Sequence, residues 1–387
     1  MIPPDIVAAR LYQVAIPLRE PFAISGGTMT TRESLIVELE DQHGRLGWGE
    51  SAPFALPFYS GETVASARAL LTTALLPSVV GWHGVPLEEA RDWLALGVRG
   101  NRMARAGVET ALWDLTAAAR GVPLADLVSE RLAALDVAPQ WRERKSELAC
   151  GIALGVPPDQ DGRVLAQWVH QALAAGYQRI KVKVRPGWDE EPVRVTQDTM
   201  RVERREVPLW VDANGAYDLA RDENALRALD RMGLVFLEQP LAEEAWWDLC
   251  ELGRMLRTPV CLDETLVSDD VGRQMLLMGG PEIWNIKIQR VGGLEEACRI
   301  YARAMTSGVR VWGGTMPETG LGAQAMLALG GHTGFVFPSD IEPSDRWYSP
   351  GADVVELSMT ARGTMPVPAA RSIPRRERWT PCWRSDP

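Results

Sequence analysis

The segment Tyr177–Trp188, "YQRIKVKVRPGW", alternates charge and apolar bulk through Ile180, Lys181, Val182, Lys183 and Val184. Successive side chains of a strand point to opposite faces, so Lys181 and Lys183 share one face and the valines the other. A solvated antiparallel edge strand gives this pattern. So does a strand whose inner face opens onto a reaction centre. The flanking chain bears on which of the two applies.

From about residue 147 short apolar runs recur: "LACGIAL", "RIKVKV", "PLWVDA", "LVFLEQ", "PVCLDE", "EIWNIKI", "RVWGG" and "GFVFPSD". Stretches of helical pattern lie between them, for example 158–175, 190–204 and 241–256. Alternating βα units imply a parallel sheet and an α/β fold class. About eight such strands over roughly 190 residues predict a closed (β/α) barrel spanning 141–345. An open doubly wound sheet is the rival. No Gly-x-Gly-x-x-Gly turn follows the first strand, which disfavours its nucleotide-binding form.

The N-terminal part has another texture. "ARLYQVAIPL", "ESLIVELED" and "GRLGWGESA" read as strands, the last two joined by a turn at Asp41–Gly44. Between the first two lies "REPFAISGGTMTTR", which reads as a long, mobile, lid-like loop. Helical periodicity covers 62–79, 86–96 and 102–119, the last with Ala106, Val108, Ala111, Leu112 and Leu115 on one face. Residues 1–140 therefore read as an α+β domain. The Arg- and Pro-rich tail 371–387 reads as disordered or as an oligomer contact.

Charged residues fall at the strand ends: Lys183, Asp212, Glu238, Asp263 and Lys287, in steps of 29, 26, 25 and 24 residues. Each step is about one βα unit, so in a barrel all five ring one mouth. A lone strand-end Asp often caps the following helix. Five such residues in apolar strands are hard to account for structurally, because burying each without a role costs several kcal/mol. Three crowded carboxylates cannot all stay ionised without a cation. An oxygen-only donor set points to Mg²⁺ or Mn²⁺ at Asp212, Glu238 and Asp263. Lys183 and Lys287 then flank whatever the metal holds.

The chain has 387 residues, 46% of them apolar, and a net charge of −10, so nothing points to nucleic acid or an anionic membrane surface. Five cysteines without CxxC spacing read as reduced cytoplasmic thiols. The start Met1–Asp5 lacks the pattern of a signal peptide, and no run approaches the ~20 apolar residues of a membrane span.

The motifs "KVKV", "VDANGAY", "EQPL", "LDET", "NIKIQRVGG" and "GGTMPETGLG" resemble the enolase superfamily in its muconate-lactonising branch, over nearly the whole chain. Within that branch the resemblance is to o-succinylbenzoate synthases that also racemise N-acylamino acids. It implies a modified (β/α)₇β barrel with an α+β capping domain, to which a C-terminal segment of about 345–370 returns. It implies metal ligation by Asp212, Glu238 and Asp263, and an enediolate formed by removing a proton α to a carboxylate. Lys183 matches the proton-transferring base and Lys287 the lysine on the opposite face. Lys181 would depress its neighbour's pKa, since adjacent ammoniums disfavour each other's charge. The implied partner is a small carboxylate substrate, and a homo-oligomer is expected.

The absence of a histidine near "VWGGTMPETG" speaks against a His–Asp dyad of the mandelate-racemase type. Asn214, Arg290, Glu318 and Asp340 are candidate substrate contacts. Arg290 matches the arginine of the racemising members, or is an ordinary loop arginine. Glu318 orients substrate or caps the next helix. Asp340-Ile341-Glu342 resembles the Asp-x-Asp pair of dipeptide epimerases, which keeps that activity open beside muconate cycloisomerase. Phe22, Phe54, Phe58 and Tyr59 either cover the substrate or pack the domain interface. A barrel that has lost its chemistry is the non-enzymatic alternative.

Overall fold

The structure is a computed structural model that describes residues 1–24, 27–375 and 379–385. Three antiparallel strands, β1 (Ile6–Ile24), β2 (Gly27–Asp41) and β3 (Leu46–Ser51), form the N-terminal sheet. The stretch expected to be a mobile loop is instead the far end of the β1–β2 hairpin, with Phe22 opposite Met29 and Ile24 opposite Gly27. A register slip between Pro17 and Phe22, where Pro17 and Pro21 offer no N–H, separates this end from the rest. Ser25 and Gly26 lie outside the described residues.

The helix Arg102–Arg120 lies across this sheet and buries the face that its periodicity predicts. A Cβ on Gly49 would lie 2.0 Å from Gly107 O, so the glycine permits the close approach of strand and helix. The Glu62 carboxylate caps the helix, accepting from Met103 N at 3.0 Å and Ala104 N at 2.7 Å.

"LACGIAL" breaks into two short strands, β4 (Glu147–Ala149) and β5 (Ile152–Leu154). From β5 the chain runs through β6 (Ile180–Lys183), β7 (Leu209–Asp212), β8 (Leu237–Glu238), β9 (Val260–Leu262), β10 (Ile283–Ile286) and β11 (Arg310–Gly313), all parallel and in sequential order. Residues 335–340 lie between the two edges of this sheet. Val336 N donates to Val311 O at 3.2 Å, and Gly151 N donates to Ser339 O at 2.8 Å. These bonds close the ring in the eighth position, so the fold is the barrel with an antiparallel cap.

Intervening helices include Gly162–Ala175, Glu190–Val202 and Trp246–Met255. Inside the barrel, Trp210, Phe236, Cys261, Ile283 and Trp312 form a buried apolar floor. The charged strand ends Asp212, Glu238 and Asp263 follow Trp210, Phe236 and Cys261 by one alternation, above that floor.

The strand β12 (Thr364–Pro366) pairs with β4, returning the C-terminal segment to the barrel. The tail departs from the expected disorder. Its β13 (Trp383–Arg384) adds to the outer edge of β1, Cys382 N donates to Leu11 O at 2.8 Å, and the Trp379 ring lies 5.7 Å from that of Tyr12. The free edge of β1 and the two tail tryptophans supply the backbone pairing and apolar contact that order it. Residues 376–378 and 386–387 lie outside the described residues. Among the described residues no helix is long and apolar enough to cross a membrane.

Candidate active site

The parallel register sets Lys183 beside Asp212 and Asp212 beside Glu238. Asp212, Glu238 and Asp263 are fully buried, and one carboxylate oxygen from each lies within 4.8 Å of the others. Burial and the charge of Asp212 push Glu238 up to about 8, whereas the ammoniums of Lys183 and Lys181 outweigh burial and hold Asp212 down at about 2. Among the described residues Glu238 Oε2 accepts no hydrogen bond. Three convergent buried carboxylates, one of whose oxygens accepts no hydrogen bond, fit a hard divalent cation.

Three ammoniums surround the triad. Lys183 Nζ donates to Asp212 Oδ2 at 2.6 Å and to Asn214 Oδ1 at 2.7 Å. Lys287 Nζ donates to Asp263 Oδ2 at 2.7 Å and reaches Tyr59 OH at 3.4 Å. Lys181 Nζ donates to Asp340 Oδ2 at 2.6 Å and stands 3.2 Å from Glu238 Oε2 and 3.4 Å from Asp212 Oδ2. Burial opposes the charge of Lys181, but Asp340, Glu238 and Asp212 outweigh it and raise its pKa. Lys287 is raised in the same way, chiefly by Asp263 against burial. Lys181 is therefore a fixed cation at pH 7.

The supporting groups explain why these side chains stay in place. Asn285 Nδ2 donates to Glu238 Oε1 at 2.9 Å. Gln239 Oε1 accepts from Asp263 N at 2.9 Å and Thr265 N at 3.1 Å. Asn214, in the left-handed region at φ 45°, turns its own N–H onto Asp212 Oδ1 and gives its amide to Glu264 Oε1 at 2.9 Å. Asn285, Gln239 and Glu264 were not singled out from the sequence. Asn285 had a signal there, because it shares the inward face of its strand with Lys287, two residues on.

The candidates sort as follows. Phe22, Phe54, Tyr59, Asn214 and Asp340 line the pocket with the three lysines, together with Ala153, Met316, Glu342 and Trp347. Phe58 does not line it; its ring packs 4.7 Å from that of Phe54 and borders a neighbouring cleft. Glu318 does not line it either. Its Oε2 accepts from Met316 N at 2.8 Å, so it shapes the loop rather than reaching the mouth. Arg290 is buried behind the site. Its guanidinium pairs with Asp263 Oδ1 and donates to Asn285 O and, at 3.0 Å, to Leu266 O. It braces a triad carboxylate and is absent from the pocket wall.

The side chains leave about 50 Å³ free in this pocket, far below the roughly 300 Å³ or more of a small-molecule site. A cavity of about 760 Å³ lies outside β5, against Phe22 and Trp168, but none of the triad or the lysines lines it.

Residues 6–129 match the N-terminal domain of the mandelate racemase / muconate lactonizing enzyme family, and residues 164–371 match the family described as enolase C-terminal domain-like. With the capped barrel and its strand-end carboxylates, these matches place the chain in the enolase superfamily, to whose mandelate racemase / muconate lactonizing enzyme branch it belongs. It is 38% identical over 366 residues to an o-succinylbenzoate synthase of Geobacillus kaustophilus, covering 94% of this chain and 91% of that one. It is 36% identical over 369 residues to an N-succinylamino acid racemase of Thermus thermophilus, covering 95% and 94%. A solved enolase-superfamily member from Enterococcus faecalis superposes with a TM-score of 0.82 at 32% identity, covering 95% of this chain and 94% of that one.

Proposed function

We propose that this enzyme removes a proton α to a carboxylate, converting 2-succinyl-6-hydroxy-2,4-cyclohexadiene-1-carboxylate to o-succinylbenzoate and racemising N-succinylamino acids in the same site. The observation that carries the proposal is the pairing of Lys183 and Lys287 with different triad carboxylates, Asp212 and Asp263. Two proton-transferring groups thus approach the centre from strands on either side of Glu238. The names of the two relatives support the choice of substrates.

Asp212, Glu238 and Asp263 would hold Mg²⁺ or Mn²⁺, which when bound supplies positive charge to the substrate carboxylate as the enediolate builds. In the dehydration, Lys183 in its amine form takes the α-proton and returns it to the hydroxyl leaving from the same face as water. Lys287 remains a cation beside the developing charge. The ring gains aromaticity, so the step asks little more of the site. In racemisation one lysine takes the α-proton and the other delivers a proton to the opposite face. Phe22, Phe54, Tyr59 and Trp347 give an apolar cover that excludes water. Incubation in D₂O with each substrate and Mg²⁺ tests the proposal. Deuterium entering the α-position of an N-succinylamino acid, together with formation of o-succinylbenzoate, is expected.

One observation favours a second reading, dipeptide epimerisation. The buried Glu342 lines the pocket, and its Oε2 accepts no hydrogen bond among the described residues, with Arg346 Nε 3.5 Å away. Such a carboxylate suits a substrate ammonium. Turnover of a dipeptide such as Ala-Glu without o-succinylbenzoate formation would select this reading.

A further inference from the structure

Beneath the lysines lies a buried cation that the reaction above does not use. Arg179 immediately precedes β6 and is fully buried. Its position, two before Lys181 and four before Lys183, puts it on the inward face of the strand, one layer down. Nη1 donates to Ile152 O at 2.9 Å, and Nη2 donates to Ser339 O at 2.9 Å and to Asp340 Oδ1 at 2.5 Å. The guanidinium carbon lies 4.3 Å from the Trp210 ring centre and 5.5 Å from that of Trp312. Room for it comes from Gly151, where a Cβ would fall 2.1 Å from Arg179 Cζ. The other oxygen of Asp340 accepts from Lys181.

We propose that Arg179 is a positioning residue, which clamps Asp340 so that Asp340 in turn fixes the Lys181 ammonium against the acidic triad. A residue that only filled this layer would be apolar, as Trp210, Phe236, Cys261 and Ile283 are, because a buried charge is costly without partners. The guanidinium fork suits the task. Its fixed planar donors reach β5, the closing segment 335–340 and the Asp340 carboxylate at once, which a lysine cannot do. Lys181 needs such an anchor because its four-carbon stem is flexible. Arg179 does not line the substrate pocket, so its loss acts on the chemical step rather than on binding.

The inference rests on the proton-abstraction reading, and the test separates the two. α-Deuterium exchange of N-succinylphenylalanine is measured for wild type, Arg179→Met, Arg179→Lys, Asp340→Asn and the Arg179→Met/Asp340→Asn double variant. Arg179→Met should lower kcat by about 100-fold, the scale of a small misplacement of a catalytic group, with KM and Mg²⁺ affinity within about twofold of wild type. Asp340→Asn, whose side chain also lines the pocket, should lower kcat by a similar factor whatever its effect on KM. Arg179→Lys should recover part of the rate. The double variant should be no slower than the slower single, as for residues acting as one unit. Multiplying losses, a change confined to KM, or an unaffected Arg179→Met would overturn the proposal. Should Arg179→Met fail to fold, Arg179→Lys takes its place in the cycle. Urea unfolding of the same proteins reads the clamp without substrate: coupled midpoint shifts are expected, and additive shifts contradict it. Wild-type protein that exchanges no substrate would count against the function proposed above, while the unfolding cycle still judges the clamp.

Discussion

Lys287 and Asp263 form an ion pair of 2.7 Å, and Arg290 holds the remaining oxygen of the same carboxylate. Arg290 thereby fixes the orientation in which Asp263 meets Lys287, although it does not reach the substrate pocket. On the proposed mechanism, racemisation requires Lys287 to exchange a proton, whereas dehydration requires only its charge. Arg290→Met should therefore lower the rate of N-succinylamino acid racemisation by about tenfold or more relative to that of dehydration. Parallel steady-state assays of the two reactions check this, and equal losses would remove Arg290 from any such role.

Metal binding should depend on pH. Glu238, pushed up to about 8, is protonated at neutral pH before a cation arrives, and the cation must displace that proton. Mg²⁺ affinity should rise by about tenfold per pH unit below pH 8, with one proton released per ion. Calorimetry in two buffers of different ionisation enthalpy measures both quantities. Glu238→Gln should weaken binding and abolish the pH dependence.

The cover should show itself in KM. Phe22, near the far end of the β1–β2 hairpin, packs edge-on against Trp347 with ring centres 5.0 Å apart. Phe22 also lines the substrate pocket, and truncating it removes apolar contact with a bound substrate, so Phe22→Ala should raise KM by about two- to tenfold with a smaller effect on kcat. Initial-rate kinetics with N-succinylphenylalanine decide it.

A carboxylate at the junction of cap and barrel should make stability fall as pH rises. Glu109, on the cap helix Arg102–Arg120, accepts from Leu294 N at 2.8 Å and Glu295 N at 2.9 Å. Burial raises its pKa from 4.5 to about 7. The folded state thus holds a proton between these pH values that the unfolded chain releases. The resulting stability is fully present below pH 4.5 and is lost as pH rises through about 7. The loss is about 3 kcal/mol over that window. Urea unfolding of wild type and Glu109→Gln across pH 4.5–8 should show the wild-type advantage shrinking with pH. A constant difference would exclude Glu109 as the source.

Much of the site was legible because a barrel repeats. One βα unit separates each charged strand end from the next, and strand alternation places Lys181 and Lys183 on one face. Arg179 follows the same alternation but was not singled out, because it lies just before its strand, away from the strand ends whose spacing carries the pattern. The hairpin end was hidden because glycines, threonines and a proline resemble a loop, while its backbone pairing shows only in the folded hairpin. The tail was misread for a related reason, since its order depends on an edge of β1 more than 350 residues away. Glu318 and Phe58 show the converse limit. Both sit near the mouth in sequence, but local hydrogen bonding turns one away and aromatic packing the other.

The central claim is that Lys183 and Lys287 serve opposite faces of the substrate carbon, and α-proton exchange in D₂O from each pure enantiomer of N-succinylphenylalanine tests it most directly. Lys183→Ala should abolish exchange from one enantiomer and leave it measurable from the other, and Lys287→Ala should show the reverse pattern. Equal exchange of both enantiomers in either variant would contradict the assignment.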